Sequence, residues 1–257
     1  MAFLYLDDSK HHSFGFSLAA FVICDVDPTE EVISIFREHG YDSASFEFKS
    51  SAKMEGNCKL QSLRAALKSL IARNCSVAVC VVNGDKKLGP AALELLQCSL
   101  THPQLNAARH EVYFDEGLFP SVSSAEALVD DVNSLDSCNF HFEQNSRDIL
   151  GIQLADIVAH TCGTMLLDSL GHISKMIVID EPSDSVYHGL EVELGFEMWA
   201  GIRNTFLRRN KSNPKDDFEL AIVDVFPWGI FIDESVDERI SSAAMDRFGE
   251  MYLGCIH

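Results

Sequence analysis

Apolar and polar positions along this chain follow two periods, and the shifts between them mark the elements. Residues 3–6 form a short apolar run and residues 14–26 a longer one. With only a polar turn at residues 11–13 between them, they predict two strands close enough to pair antiparallel. "DPTEEVISIFREHG" predicts a helix, with Asp27 as its cap, Pro28 in the first helical position and Gly40 as its stop. "SFEFKS" alternates and predicts a short strand. Residues 59–73 put Leu60, Leu63, Leu67 and Leu70 on one helical stripe. "CSVAVCVV" is almost wholly apolar, as in a strand covered on both faces. A helix over residues 90–100, a strand in "HEVYFDEG", a helix over 123–135, a strand in "NFHFEQ" and a long helix over 147–170 follow. This alternation predicts a mixed α/β sheet.

The pattern changes after Gly171. "MIVIDEPSDS" predicts a short strand ending in a loop, and residues 189–209 a helix. "NKSNPKDD" is a loop, "FELAIVDVFPWGIFIDES" holds two strands around a Pro-Trp-Gly turn, and residues 236–253 form a last helix. A soft boundary near Gly171 separates a core, residues 1–171, from a C-terminal α+β extension, residues 172–257, which is either part of the same domain or a second one.

Composition narrows the classes. At 257 residues and 47% hydrophobic, the chain can bury a substantial core. It has no low-complexity tract and no solenoid-length repeat. No basic, apolar leader opens the sequence, and no uninterrupted apolar stretch of about 18 residues suggests a membrane span. A soluble cytoplasmic protein is expected, with no membrane partner. None of the eight cysteines forms a CxxC pair. Cys75 and Cys80 fall on opposite faces of one strand, so free thiols are expected rather than a zinc site. The net charge of −19 opposes loose affinity for nucleic acid but suits the binding of cations.

Four acids stand where acids are costly. Asp7 closes the first strand, Glu47 lies between Phe46 and Phe48, Asp115 closes "EVYF", and Asp156 sits in "ILGIQLADIVAH". The last helix is apolar nearly all round, so an ionised Asp156 needs a partner. Gln153 and His160 lie one turn to either side of it on the same face. Asp8 should face away from Asp7. Carboxylates gathered at strand ends make an oxygen-rich pocket suited to Mg²⁺ or Mn²⁺. Any one of them alone is more simply a turn former or a helix cap.

"YLDDS", "FEFKSS", "VYFDEG" and "SRDILGIQLADIVAH" resemble the bacterial domain-of-unknown-function family 3800. The resemblance covers roughly residues 1–171, and its opening and Gln-Leu-Ala-Asp helix are the specific parts. It implies a ribonuclease H-like mixed sheet flanked by helices. It also implies a divalent-metal-dependent nuclease in which Asp7, Glu47, Asp115 and Asp156 hold Mg²⁺ or Mn²⁺ and cleave RNA or DNA. Lys49 and Gln153 would position ligands or a phosphate. Asp8 replaces the family's usual Glu, and Lys10 a common Gly. Glu47 is expected on a strand, whereas the corresponding glutamate of ribonuclease H lies on a helix. That strand is one too many before Asp115, so Asp85, after "CVVNG", competes for the third acid's place.

The alternative is a non-catalytic ribonuclease H-like protein that binds or regulates through its acidic surface, with a protein partner or as a homo-oligomer. Other residues carry weaker readings. Lys49 can equally be a surface lysine. His11 and His12 suit a turn, and His160 a core position. Arg203, Arg208, Arg209 and Lys211 form the one basic cluster, either contacting phosphate or complementing a helix C-terminus. Trp199 and Trp228 suit packing. No phosphate-binding P-loop and no Gly-x-Ser-x-Gly elbow occurs.

Overall fold

The computed structural model describes residues 1–106, 109–179 and 188–254. The loop expected over "DEPSDS" begins at Asp180, and it lies outside the described residues, as does Cys255. Strand β1 (Ala2–His11) outruns its apolar stretch because β2 (Phe16–Cys24) pairs with it antiparallel from Phe3↔Cys24 to His11↔Phe16. A one-turn 3-10 helix, His12–Phe14, and Gly15 at φ +81 make the connection. Helix α1 (Thr29–Glu38) begins where Asp27 accepts the Thr29 N–H, and Gly40 follows its end at φ +67.

The expected strand "SFEFKS" does not form: residues 46–49 belong to no ladder. Helix α2 (Cys58–Asn74), capped by Asn57, and strand β3 (Cys75–Val82) come next, then α3 (Leu88–Leu100) and β4 (His110–Asp115). Helix α4 (Val122–Asp130) opens with a Ser121–Ser124 capping box and is shorter than expected. Strand β5 (Cys138–Gln144) and helix α5 (Leu150–Ser169) complete the core.

The C-terminal region departs further from its expected elements. Strands β6 (Met176–Val178) and β7 (Glu191–Glu193) pair, and α6 (Leu194–Ala200) is the only helical part of the long helix expected there, apart from a 3-10 turn at Arg203–Thr205. Phe206 bridges to Val77, and the Leu207 N–H donates to the Val77 carbonyl, so the sheet takes these residues. Then come β8 (Arg209–Asn210), α7 (Asp217–Leu220), β9 (Ile222–Asp224), β10 (Ile230–Ile232), α8 (Glu238–Phe248) and β11 (Glu250–Tyr252). The strands around Pro227-Trp228-Gly229 belong to different sheets, β9 between β8 and β11 and β10 beside β3. The last expected helix ends at Phe248 because its final residues pair with β9.

The principal sheet has the order β10-β3-β2-β1-β4-β5. Its first three strands in the chain are antiparallel neighbours, while β4 runs parallel to β1, β5 to β4 and β10 to β3. The flanking helices make it the mixed α/β sheet that the alternation of strands and helices predicts. Side-chain alternation sorts the core into two layers. Tyr5, Leu18, Ala20, Val22, Val77 and Val79 face α5 and α2, and Leu4, Leu6, Phe21, Ala78 and Cys80 face α3. Residues beyond Gly171 also enter the first layer, among them Trp199, Phe206, Ile230 and Phe248.

Helix α5 is the one described helix long and apolar enough to cross a membrane, yet 89% of that stretch is buried inside the fold. It is a core helix laid on β1. A Cβ on Gly151 would meet the Tyr5 ring at 2.5 Å, and one on Gly163 would overlap the His11 ring. Gly151→Ala is therefore expected to lower stability by about 1–3 kcal/mol, the usual cost of overpacking. Urea melts test this, and an unchanged midpoint would show that α5 can lift off β1.

Candidate functional site: a carboxylate cluster under α5

The two close contacts set the alignment of helix and strand. Asp7 is two residues past Tyr5, roughly 7 Å along a strand, and Asp156 is five past Gly151, roughly 7.5 Å along a helix. Asp7 shares its sheet face with Tyr5, the face that α5 covers. Asp115 follows Phe114, the parallel partner of Leu6, so it is Asp7's neighbour on that face. Tyr5 and Tyr113, one step earlier, stack at 5.1 Å and confirm the register.

Asp7, Asp115 and Asp156 thus come together from β1, β4 and α5. Asp7 is only 6% exposed. Burial first, then the charges of Asp115 and Asp156, push its pKa well above the usual carboxylate range. Asp7 shares a hydrogen bond with Asp115, whose own pKa burial also raises. Burial raises Asp156 as well, against the Ser50 N–H and the charges of Lys49 and Arg64.

Asp85 is not in this group. It accepts from Ser17 Oγ at 2.7 Å, pairs with His12 at 2.8 Å, and acts on Asp8 on the opposite sheet face. Lys10 pairs there with Asp8 at 3.2 Å. Removing the supposed strand around Glu47 also removes the extra element, and Asp115 ends the fourth strand.

The segment holding Glu47 is fixed by the helix instead of a ladder. Phe48 N–H donates to Gln153 Oε1 at 2.8 Å, and Ser50 N–H to Asp156 Oδ2 at 2.7 Å. Alternate amides thus reach side chains three residues apart on α5, which gives the segment its strand-like alternation. Gln153 is 1% exposed, and its Nε2 donates to the Ser146 carbonyl at 2.7 Å. Both ends of its amide are engaged, so it holds the segment in place.

Glu47 accepts from Lys49 and Ser146 at 2.6 Å and from Arg147 Nε at 2.8 Å. Burial opposes its ionisation, but these donors outweigh it and bring the pKa down to about 2. Glu47 therefore lies across Lys49 from the three aspartates. Lys49 is the shared cation: its charge acts on Asp7, Asp115, Asp156 and Glu47. Its side chain is 47% exposed and reachable from solvent.

His160 is half-buried beside Arg64 and His11. Burial and those neighbours lower its pKa to about 4, so it is neutral near pH 7. Opposite Asp115, the β4–β5 register shifts and pairs it with Gln144, next to Glu143 at φ 53. The Glu143 carboxylate accepts the Gly117 N–H at 3.1 Å and shapes the turn after Asp115. A strained non-glycine residue and a bulge often flank functional sites.

The basic cluster makes its contacts within the C-terminal region, away from the carboxylates. Arg203 donates to the Tyr252 and Gly254 carbonyls, and Arg208 to the Asn204 carbonyl. Arg209 pairs with Asp224 at 3.6 Å and lies over the Trp228 ring, and Lys211 pairs with Glu250 at 3.0 Å. Sequence reasoning missed Arg64, Ser146 and Arg147. The signal for Arg64 was a cation set among the core-facing leucines of α2; Arg147 was marked only by its place just before α5.

The three aspartates offer the oxygen-only donors that a hard divalent cation takes, and burial raises the pKa of each. Among the described residues, no three His, Cys, Asp or Glu side chains converge closely enough to form a ready-made metal cage.

Fold and site together define a mixed α/β protein in which aspartates on β1, at the end of β4 and on α5 meet under one helix. No family model matches the chain, and no curated protein matches it. Among solved structures, a chain of the PCNA:RNase HII complex from Archaeoglobus fulgidus is similar over 62% of this chain and 69% of that chain, at 16% identity and a TM-score of 0.36. A likeness this slight carries no argument about the site.

Asp7→Asn tests the electrostatics. Asn can still accept the Asp8 N–H and donate to Asp115. Because Asp7's folded pKa lies above its unfolded value of about 3.9, stability falls as pH rises from there toward the folded value. In chelator, Asp7→Asn should be more stable than the parent near pH 7, by about 1–3 kcal/mol. The gain should fade toward pH 4. A difference that does not vary with pH would mean that Asp7 is not a repelled, buried acid.

Proposed function

We propose that this chain is a divalent-cation-dependent phosphodiester hydrolase acting on nucleic acid, and that it belongs with domain-of-unknown-function family 3800. One observation carries the reading: aspartates from three separate elements, desolvated by burial, meet beside the single cation Lys49 that acts on all of them. A structural role would leave such a cluster neutralised, since unbalanced buried charge is costly.

Asp7, Asp115 and Asp156 would hold the ion, with Glu47 at the rim across Lys49. When bound, a divalent cation supplies Lewis acidity to a phosphoryl oxygen and lowers the pKa of water. The chain's own residues do the rest. Lys49, half exposed and tethered by Glu47 at 2.6 Å, offers a cation to a substrate phosphate. Gln153 and Ser146 keep Lys49 and Glu47 in place, and Asp156 fixes the Ser50 amide.

A second reading, a binding or regulatory protein without cleavage, draws on two observations. Arg147, Ser146 and Lys49 already occupy both oxygens of Glu47, and the net charge is −19.

Calorimetry with Mn²⁺ and cleavage of labelled RNA, DNA and hybrid strands separate the two readings. The parent should bind Mn²⁺ and cleave at least one substrate. Asp7→Asn, Asp115→Asn and Asp156→Asn should each lose more than about 100-fold in rate, beyond the effect usual for outer-shell partners. A folded parent that neither binds millimolar Mn²⁺ nor cleaves any strand would establish the non-catalytic reading.

A further inference from the structure

A second group of charged side chains lies beyond Arg64, outside the carboxylate cluster. A cavity of about 600 Å³ opens between α2, β6 and α6. That is within the range of about 300–1,000 Å³ typical of small-molecule pockets. Arg64 and Lys68, one turn apart on α2, form its basic wall, and among the described residues Glu197 is the one acidic side chain that lines it. Met54, Leu194 and Met198 form an apolar wall.

The basic wall is under-partnered. Among the described residues, Arg64 Nη2 is shielded from solvent and has no hydrogen-bond acceptor. Lys68 is 15% exposed, and its nearest carboxylate, Glu197, is at 4.0 Å, the outer limit of an ion pair. Burial pushes the pKa values of both cations down, with Glu197 acting against it. Among the described residues, two partly buried cations and one loosely placed carboxylate leave a net positive lining within a strongly acidic protein. An unmet buried guanidinium N–H is costly and is satisfied by an anion with several acceptor oxygens.

We propose that this cavity binds a nucleoside phosphate, with the phosphate on Arg64 and Lys68 and the base or sugar against Met54, Leu194 and Met198. A phosphate supplies the charge and the acceptors that Glu197 does not, and Arg's planar fork matches phosphate oxygens. The apolar wall separates this ligand from inorganic phosphate, which would leave it uncovered. Arg64 also acts electrostatically on Asp156, so the two sites are neighbours. The ligand's phosphate can belong to a free nucleotide or to a nucleic-acid strand. The binding itself needs no cleavage and does not rest on the hydrolase reading.

Calorimetry in chelator, with the full chain and no metal, tests this. The probes are adenosine monophosphate, a short single-stranded oligonucleotide, inorganic phosphate and adenosine. Either the mononucleotide or the oligonucleotide should bind, and the tighter of the two identifies the source. Inorganic phosphate should be weaker, and adenosine weaker still. Arg64→Gln and Lys68→Gln should each weaken binding about 10–100-fold, as expected for a lost hydrogen bond to a charged group. Val178, which lines the cavity and is 62% exposed, gives a variant less demanding of the fold. Val178→Asp should also weaken binding by placing an anion at the mouth. The proposal is overturned if neither nucleotide probe binds at millimolar concentration. It is also overturned if inorganic phosphate binds as tightly as the mononucleotide, or if the folded variants bind like the parent.

Discussion

The contact between α5 and β1 is the constraint on which the rest depends. Two glycines bring the helix backbone onto the strand, against Tyr5 and against His11. No larger residue fits at either point without moving the helix. The close approach sets Asp156 over Asp7, and the parallel ladder sets Asp115 beside Asp7. It also presents Gln153 and Asp156 to the segment that carries Glu47 and Lys49. A buried helix would ordinarily expose only apolar side chains to such a segment. Here two polar residues one turn apart replace a strand ladder, and they satisfy amides that would otherwise be buried without partners.

Charge is distributed unevenly across this arrangement. Glu47 is compensated three times over, by Lys49, Ser146 and Arg147. The three aspartates share what remains of Lys49, and Asp156 alone also feels Arg64. The two groups therefore titrate in opposite senses, Glu47 below the usual range and the aspartates above it. Like charges drawn together in a desolvated place repel and hold protons. The cluster therefore costs stability wherever its carboxylates are ionised and close together.

Much of this could be read from the chain because it depends on short periods. The apolar runs of β1, β2 and β3 are long, and the step from Asp7 to Asp8 assigns each to its own face. The apolar surroundings of Asp156 announced a buried acid. What failed did so for local reasons. "SFEFKS" alternates because every second amide meets a helix side chain, which mimics a strand in sequence. The strands of the C-terminal region are two or three residues long, too short for any period to show. The helix expected over 189–209 lost its ends to pairing, with β6 at one and with Val77 at the other. Arg64 sits among the leucines of α2, where composition hides it. Its importance comes from neighbours far away in sequence, Asp156 and Glu197.

The acidity of the whole chain is consistent with the reading offered for its parts. With 39 acids against 20 lysines and arginines, free cations are scarce. The basic cluster of residues 203–211 is bound into the C-terminal fold through carbonyls and carboxylates. A strand of nucleic acid approaching this surface meets repulsion except where a cation remains available. Lys49 is available because nearly half its side chain is exposed, and Arg64 because one of its nitrogens lacks an acceptor. Asp156 feels both. Affinity would then come from a few localised contacts and from a cation held by the aspartates, rather than from a broad basic face. Specificity follows from that economy, since a polyanion gains nothing from most of the surface and must place its phosphates correctly to gain anything at all.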